Sequence, residues 1–246
     1  MKVDSFNIEF GYELLSGVPF AYEKHLAGEL TETESGHDTA PLYYFSPKHT
    51  ENDKPRSWYN TSEARSKGLP YTFIHRWERP DLIFPPYKAV YANSQYKWDK
   101  PTLCICNRYN VEWSKRPINF FDEQILDWLF SNLKKLYEIV YFAVDLPEEL
   151  QDNAHSMPLN DIEVCRKHGI KVFQDIKGDS WNESLLKVFA NCQHYITMNG
   201  GYSIMASLFG GQNIAYSKRA ADVHAKELDF NEFFRYYPNH SNQQVV

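Results

Sequence analysis

Hydrophobic and polar positions change rhythm midway along this chain. Val3–Phe10 alternates well enough for a short strand. Beyond Gly11, the residues Leu14, Leu15, Val18, Ala21, Tyr22 and Leu26 recur at helical spacing and predict a helix over Tyr12–Ala27. Pro19 inside it predicts a kink or a shortened helix, because proline lacks an N–H and its ring crowds the preceding turn. Gly28 is the expected stop. Thr31–Thr39 is polar and reads as a loop. Leu42–Phe45 and Tyr71–His75 read as strands, Ser46–Lys67 as a long loop with room for one short helix, and Arg79–Pro86 as a break in regular structure. Tyr87–Asn93 fits a short strand or a helix, and residues 94–101 read as a linker.

The pattern after the linker is more regular. Strands are predicted at Thr102–Cys106, Glu138–Val144, Ile170–Phe173, His194–Met198 and Asn213–Tyr216. Helices are predicted at Asn119–Leu133, Leu159–His168, Trp181–Ala190 and Gly201–Phe209. Strands alternating with helices at this spacing imply βαβ units and a parallel sheet. The expected class is α/β, built as two small lobes, 1–98 and 99–246, with a cleft between them. A single doubly wound domain is the rival arrangement.

Composition narrows the classes. With 43% hydrophobic and 24% charged residues the chain is too apolar for disorder. Aromatics reach 16%, which suits a sugar- or base-binding surface and equally a tyrosine-rich core. The net charge of −6 and the lack of a basic run argue against nucleic acid as a partner. A local anion pocket remains open, because one patch can be positive on an acidic protein. The four cysteines, Cys104, Cys106, Cys165 and Cys192, are too scattered for a disulfide framework and read as buried thiols. Cys104 and Cys106 share one face of their strand. No stretch is apolar enough for a transmembrane segment, and no signal-like start is present, so the expected setting is cytoplasmic.

Four segments carry candidate chemistry. In Ile196–Ser207 a strand ends, a turn of Asn199-Gly200-Gly201 follows, and a helix opens with Tyr202 and Ser203. First-turn amides and the helix dipole favour an anion there, and glycines let a phosphate approach the main chain. The competing reading is a plain βα turn. In Glu9-Phe10-Gly11-Tyr12-Glu13, the carboxylate of Glu13 is the expected general base, with Glu9 as its rival. An acid in a first helical turn also has an ordinary dipole explanation. Asn107 and Arg108 leave the strand Thr102–Cys106, with Lys115 and Arg116 beyond, and Arg108 suits a diphosphate. Glu183 opens the helix at Trp181 and suits ribose hydroxyls. Finally His37-Asp38, with His49 nearby, suits an acceptor site or an assisting acid, and equally a solvated loop.

Several motifs are missing. There is no GxGxxG, no GxxxxGK[ST] and no GxSxG, which disfavours a dinucleotide enzyme, a P-loop ATPase and an α/β-hydrolase. No Asp-x-Asp occurs, which weakens a metal-dependent nucleotide-sugar site, and no CxxC or His-rich cluster suggests zinc. On the run Asn182–Tyr216, and on Asn199-Gly200-Gly201-Tyr202-Ser203 within it, the chain resembles glycosyltransferases of GT-B architecture, heptosyltransferase-like enzymes among them. In those enzymes a Gly-Asp pair opens the first helix; Gly11-Tyr12-Glu13-Leu14-Leu15 is similar, with Tyr12 inserted and Glu in place of Asp. The two phrases Phe10–Leu14 and Asn199–Ser203 are also similar to proteins of bacterial surface-polysaccharide loci and algal-virus glycosylation proteins.

The resemblance implies a transferase that moves a sugar, a deoxyhexose such as rhamnose or fucose, from a UDP- or GDP-linked donor to a glycan hydroxyl. It implies no metal, no separate cofactor and inversion at the anomeric carbon. Glu13 and Asp38 would be catalytic. Arg108, Asn107, Asn199, Gly200, Gly201, Tyr202, Ser203 and Glu183 would hold the donor, and Gly11, Tyr12, His37 and His49 would face the acceptor. Two rivals stand beside it: a non-catalytic sugar- or nucleotide-binding module, and a sugar-nucleotide epimerase.

Overall fold

The computed structural model describes residues 1–54, 65–70, 72, 73, 76, 77, 81, 83–111, 117, 119–143, 155, 156, 158–198, 200–217 and 242–245. Two parallel sheets organise it. The first runs in the order β1 (Lys2–Asp4), β2 (Glu32–Gly36), β3 (His49–Asn52). β1 is shorter than expected, and helix begins at Phe10 instead of following a strand that far. β2 falls on a stretch read as loop. Its sequence, Glu-Thr-Glu-Ser-Gly, carries no apolar side chain, yet Thr33 and Ser35 are fully buried. A strand that buries hydroxyls leaves no hydrophobic alternation to read. Leu42–Phe45, read as a strand, is instead a 3₁₀ turn over Ala40–Tyr43.

The first helix is continuous through Pro19. It runs as α1 (Phe10–Tyr12), a π-helical segment (Glu13–Gly17) and α2 (Val18–Leu26). In an α-helix Pro19 would owe a hydrogen bond to Leu15 and crowd its carbonyl. The wider turn avoids this: the Val18 N–H reaches back five residues to the Glu13 carbonyl.

A two-stranded ribbon follows, β4 (Thr72–Phe73) with β5 (Arg76–Trp77), then α3 (Tyr87–Val90). The expected linker is packed. Tyr96 is buried and its hydroxyl donates to the Ile176 carbonyl, while Asn93 Nδ2 donates to the Lys187 carbonyl.

The second half alternates as the pattern predicted: β6 (Thr102–Cys106), β7 (Asn110–Val111), α4 (Glu123–Leu133), β8 (Glu138–Phe142), β9 (His155–Ser156), α5 (Asp161–His168), β10 (Lys171–Val172), α6 (Phe173–Ile176), α7 (Trp181–Ala190), β11 (His194–Met198), α8 (Gly201–Ser207), β12 (Gln212–Tyr216) and β13 (Asn242–Val245). β7 and β9 pair with each other. The remaining six strands form one parallel sheet in the order β10-β8-β6-β11-β12-β13. Counted within this lobe, that is the third-second-first-fourth-fifth-sixth order of doubly wound folds, which reverses direction between β6 and β11.

Alternate residues of the central strands feed two cores. Leu103, Ile105, Ile139 and Tyr141 pack under α4 and α5, while Cys104, Cys106, Val140 and Phe142 face the other side. This second core does not stop at the lobe boundary. It continues into Ile8, Leu14, Leu15, Leu42 and Tyr43 of the first lobe. Tyr87 joins them, stacking on Phe209 and donating its hydroxyl to the Leu42 carbonyl at 2.7 Å. All four cysteines are free and buried.

Candidate functional site at the lobe junction

The reversal between β6 and β11 sets the site. Strands on either side of such a point send their following loops in opposite directions, leaving a crevice at their carboxyl ends. Here the two loops begin with Asn107-Arg108 and, past Asn199, with Gly200. The register pairs Cys106 with Thr197, so both loops leave the sheet at the same level. They meet at Gly200, whose φ of 146° is open to glycine and strained for other residues. A methyl group at Gly200 would lie 2.7 Å from Arg108 Nη1, so the guanidinium lies directly against the bare main chain. Asn199 lies outside the described residues, as do Lys115 and Arg116.

The first helix closes this corner from the other lobe. α1 packs on α8. A methyl on Gly201 would touch Phe10 Cδ1 at 3.5 Å, and one on Gly11 would meet Ile204 Cδ1 at 3.1 Å and Glu9 Oε1 at 3.2 Å. The two phrases singled out in the sequence, one from each lobe, are therefore in contact. Glu9, read as a strand residue, is the N-cap of α1 and accepts weakly from the Gly11 N–H.

Several expected site residues have other duties. Asn107 is buried; its Nδ2 donates to the Phe121 carbonyl and to the Tyr141 hydroxyl, and its Oδ1 accepts from the Phe121 N–H, all at 2.9 Å. It ties β6 to the chain entering α4. The Ser203 hydroxyl donates to the Gly200 carbonyl at 2.7 Å and accepts from the Gly200 N–H at 3.1 Å, so it closes the turn. Tyr202 packs against Phe142, and burial pushes that phenol's pKa well up. Glu183 pairs with Lys187 at 2.7 Å on the exposed face of α7.

Asp38, expected as a catalytic carboxylate, ties the lobes together. Its Oδ2 accepts from the Asn182 N–H at 2.8 Å, and its carbonyl accepts from Asn182 Nδ2 at 2.7 Å. It holds a left-handed φ of 56°, and its own N–H donates to Glu51. A carboxylate at the start of α7 is well placed for the helix dipole.

Glu13 is fully buried. Its Oε1 accepts from the Ser35 hydroxyl and, at 2.8 Å, from the Tyr43 hydroxyl. Burial, then the negative charge of Glu13, raises the Tyr43 pKa well above its ordinary value. This carboxylate presents no surface to an acceptor hydroxyl. Beyond Tyr43 lies His49, stacked on its ring at 5.0 Å. Thr39 gives its proton to the Gly36 carbonyl, so it accepts from His49 Nε2 at 3.0 Å; Thr33 approaches Nδ1 at 2.8 Å. The His49 pKa is held below the ordinary histidine value by burial. His37 is exposed and pairs with Asp53 at 3.1 Å. Tyr12 is half-buried against the shared core.

Among the described residues, no group of three or more His, Cys, Asp or Glu side chains is arranged to hold a metal, and no helix is long and apolar enough to cross a membrane. No protein-family profile and no curated protein matches the chain. Among solved structures it is similar to the ADP-heptose LPS heptosyltransferase II of E. coli, with 11% identity, a TM-score of 0.54, and an alignment covering 100% of this chain and 89% of that one. The likeness is one of fold: two Rossmann-like lobes in GT-B arrangement.

Proposed function

We propose that this protein is a glycosyltransferase that moves a sugar from a nucleoside-diphosphate donor to a glycan hydroxyl. The observation that carries this reading is the Arg108 guanidinium lying against Gly200 at the point where the second sheet reverses. A planar, permanently charged group beside an uncovered main chain suits a diphosphate. The fold shared with a heptosyltransferase agrees with it.

In this reading the acceptor oxygen gives its proton to a first-lobe carboxylate and bonds to the anomeric carbon. The bond from that carbon to the diphosphate oxygen breaks, and its electron pair leaves with the diphosphate. Arg108 offsets the charge that develops there, which is the main electrostatic demand of the step. One displacement inverts the anomeric centre, and no metal is required.

A panel of UDP, GDP, ADP, dTDP and CMP, with and without EDTA, tests the donor site by thermal shift. We expect a selective shift that EDTA leaves unchanged and that Arg108→Ala weakens by about tenfold or more in affinity, the ~1.4 kcal/mol or more of a lost charge-assisted contact. No shift with any nucleotide sinks the proposal. The engagement of Glu13 and Asp38 in structural contacts favours, as a second reading, a module that binds without catalysis. Such a module binds the nucleotide sugar yet releases no nucleotide, whether offered glycans or water.

A further inference from the structure

The transferase reading needs a carboxylate that an acceptor can reach, and Glu13 offers no exposed surface. We propose that Glu9 is the general base, and that Glu13 instead braces the first lobe; this rests on the transferase reading above.

Glu9 is half-exposed and begins the helix that meets the second lobe. Its Oε1 and Oε2 lie 3.2 and 3.5 Å from the point where a Gly11 side chain would start, and Ile204 Cδ1 lies 3.1 Å from that same point. The carboxylate therefore sits near the Ile204 side chain of α8, one helical turn past Gly200, against which Arg108 lies. Phe10, next in sequence, packs on Gly201. A first-lobe carboxylate near Ile204 and a second-lobe guanidinium against Gly200 thus both lie by the first turn of α8. A base on the acceptor side and a cation on the leaving-group side is the layout a single displacement needs. A side chain on Gly11 would press on both Glu9 and Ile204, and their side-chain ends would have to shift. In the proposed step the acceptor O–H proton passes to a Glu9 oxygen as the new C–O bond forms, and the diphosphate departs with the electrons of the old one.

Two variants test it: Glu9→Gln, and Glu9→Ser, which keeps a side-chain oxygen suited to the N-cap while removing the base. Turnover is read as nucleotide released from the donor that the thermal-shift panel selects, with water or glycan as acceptor. We expect both variants to lose about 10²–10⁴-fold in kcat. Binding of the free nucleoside diphosphate should stay intact or tighten by about threefold, because a negative charge near the diphosphate is gone. Turnover within about threefold of the parent protein, in either variant, overturns the assignment of Glu9. Loss of nucleotide affinity in step with turnover also overturns it, because it makes Glu9 a structural cap. A parent protein that binds no nucleotide defeats the transferase reading itself, an outcome distinct from the other two.

Discussion

His49 shows how one residue's surroundings fix its chemistry. Its two ring nitrogens meet two threonine hydroxyls, and burial holds its pKa below the ordinary value. As pH falls, the unfolded chain takes up this proton first, at about 6.5. Stability is therefore full above that value and is lost as pH drops towards the lower native value. Thermal melts should show a steeper fall in Tm between about pH 7.5 and 5.5 for the parent protein than for His49→Gln. Parallel slopes would mean that His49 is protonated as easily in the folded chain as in the unfolded one. Gly200 is the complementary case: there the absence of a side chain defines the site, because a φ of 146° and the neighbouring guanidinium both exclude one.

The first helix is built around its π-helical segment. Pro19 removes one α-helical hydrogen bond, and the wider turn at Glu13–Gly17 absorbs the change while the segment's residues are all buried. Glu13 is thereby set among the Ser35 and Tyr43 hydroxyls, which bind β2 and the 3₁₀ turn to the helix. A buried carboxylate stays only where donors compensate it, and the donors in turn depend on it. Glu13→Ala should cost about 2–4 kcal/mol in urea unfolding, with the buried Ser35 hydroxyl deprived of its acceptor and Tyr43 left with the Ser5 hydroxyl alone. Glu13→Gln, which keeps an acceptor oxygen in the same place, should cost clearly less. Equal costs would show that the carboxylate's volume matters and its hydrogen bonds do not.

Across the molecule, the lobes are joined by more than their connecting chain. An apolar core runs through both, α3 packs on α7, and Asp38 holds the start of α7 through Asn182. Asp38→Ala and Asn182→Ala should each destabilise the protein, and the double variant should lose less than their sum. A coupling of about 0.5–3 kcal/mol in a denaturation cycle is expected for two groups in direct contact. Strict additivity would show that the two residues act separately.

What the sequence by itself determined is the second lobe: β6, α7 and β11 lie where hydrophobic periodicity puts them, because buried parallel strands and amphipathic helices carry their packing in their own spacing. It also marked Arg108, Gly200, Glu9 and Gly11, since turn glycines and charged residues at element ends announce themselves locally. Only the tertiary structure decided the rest. β2 buries hydroxyls and leaves no apolar rhythm, and its place depends on Glu13, Tyr43 and His49 arriving from elsewhere. Whether a carboxylate is buried, as Glu13 is, spent on a partner lobe, as Asp38 is, or turned towards the lobe junction, as Glu9 is, follows from contacts between distant segments. Local spacing contains no record of those contacts, because they exist only once both lobes have folded against each other.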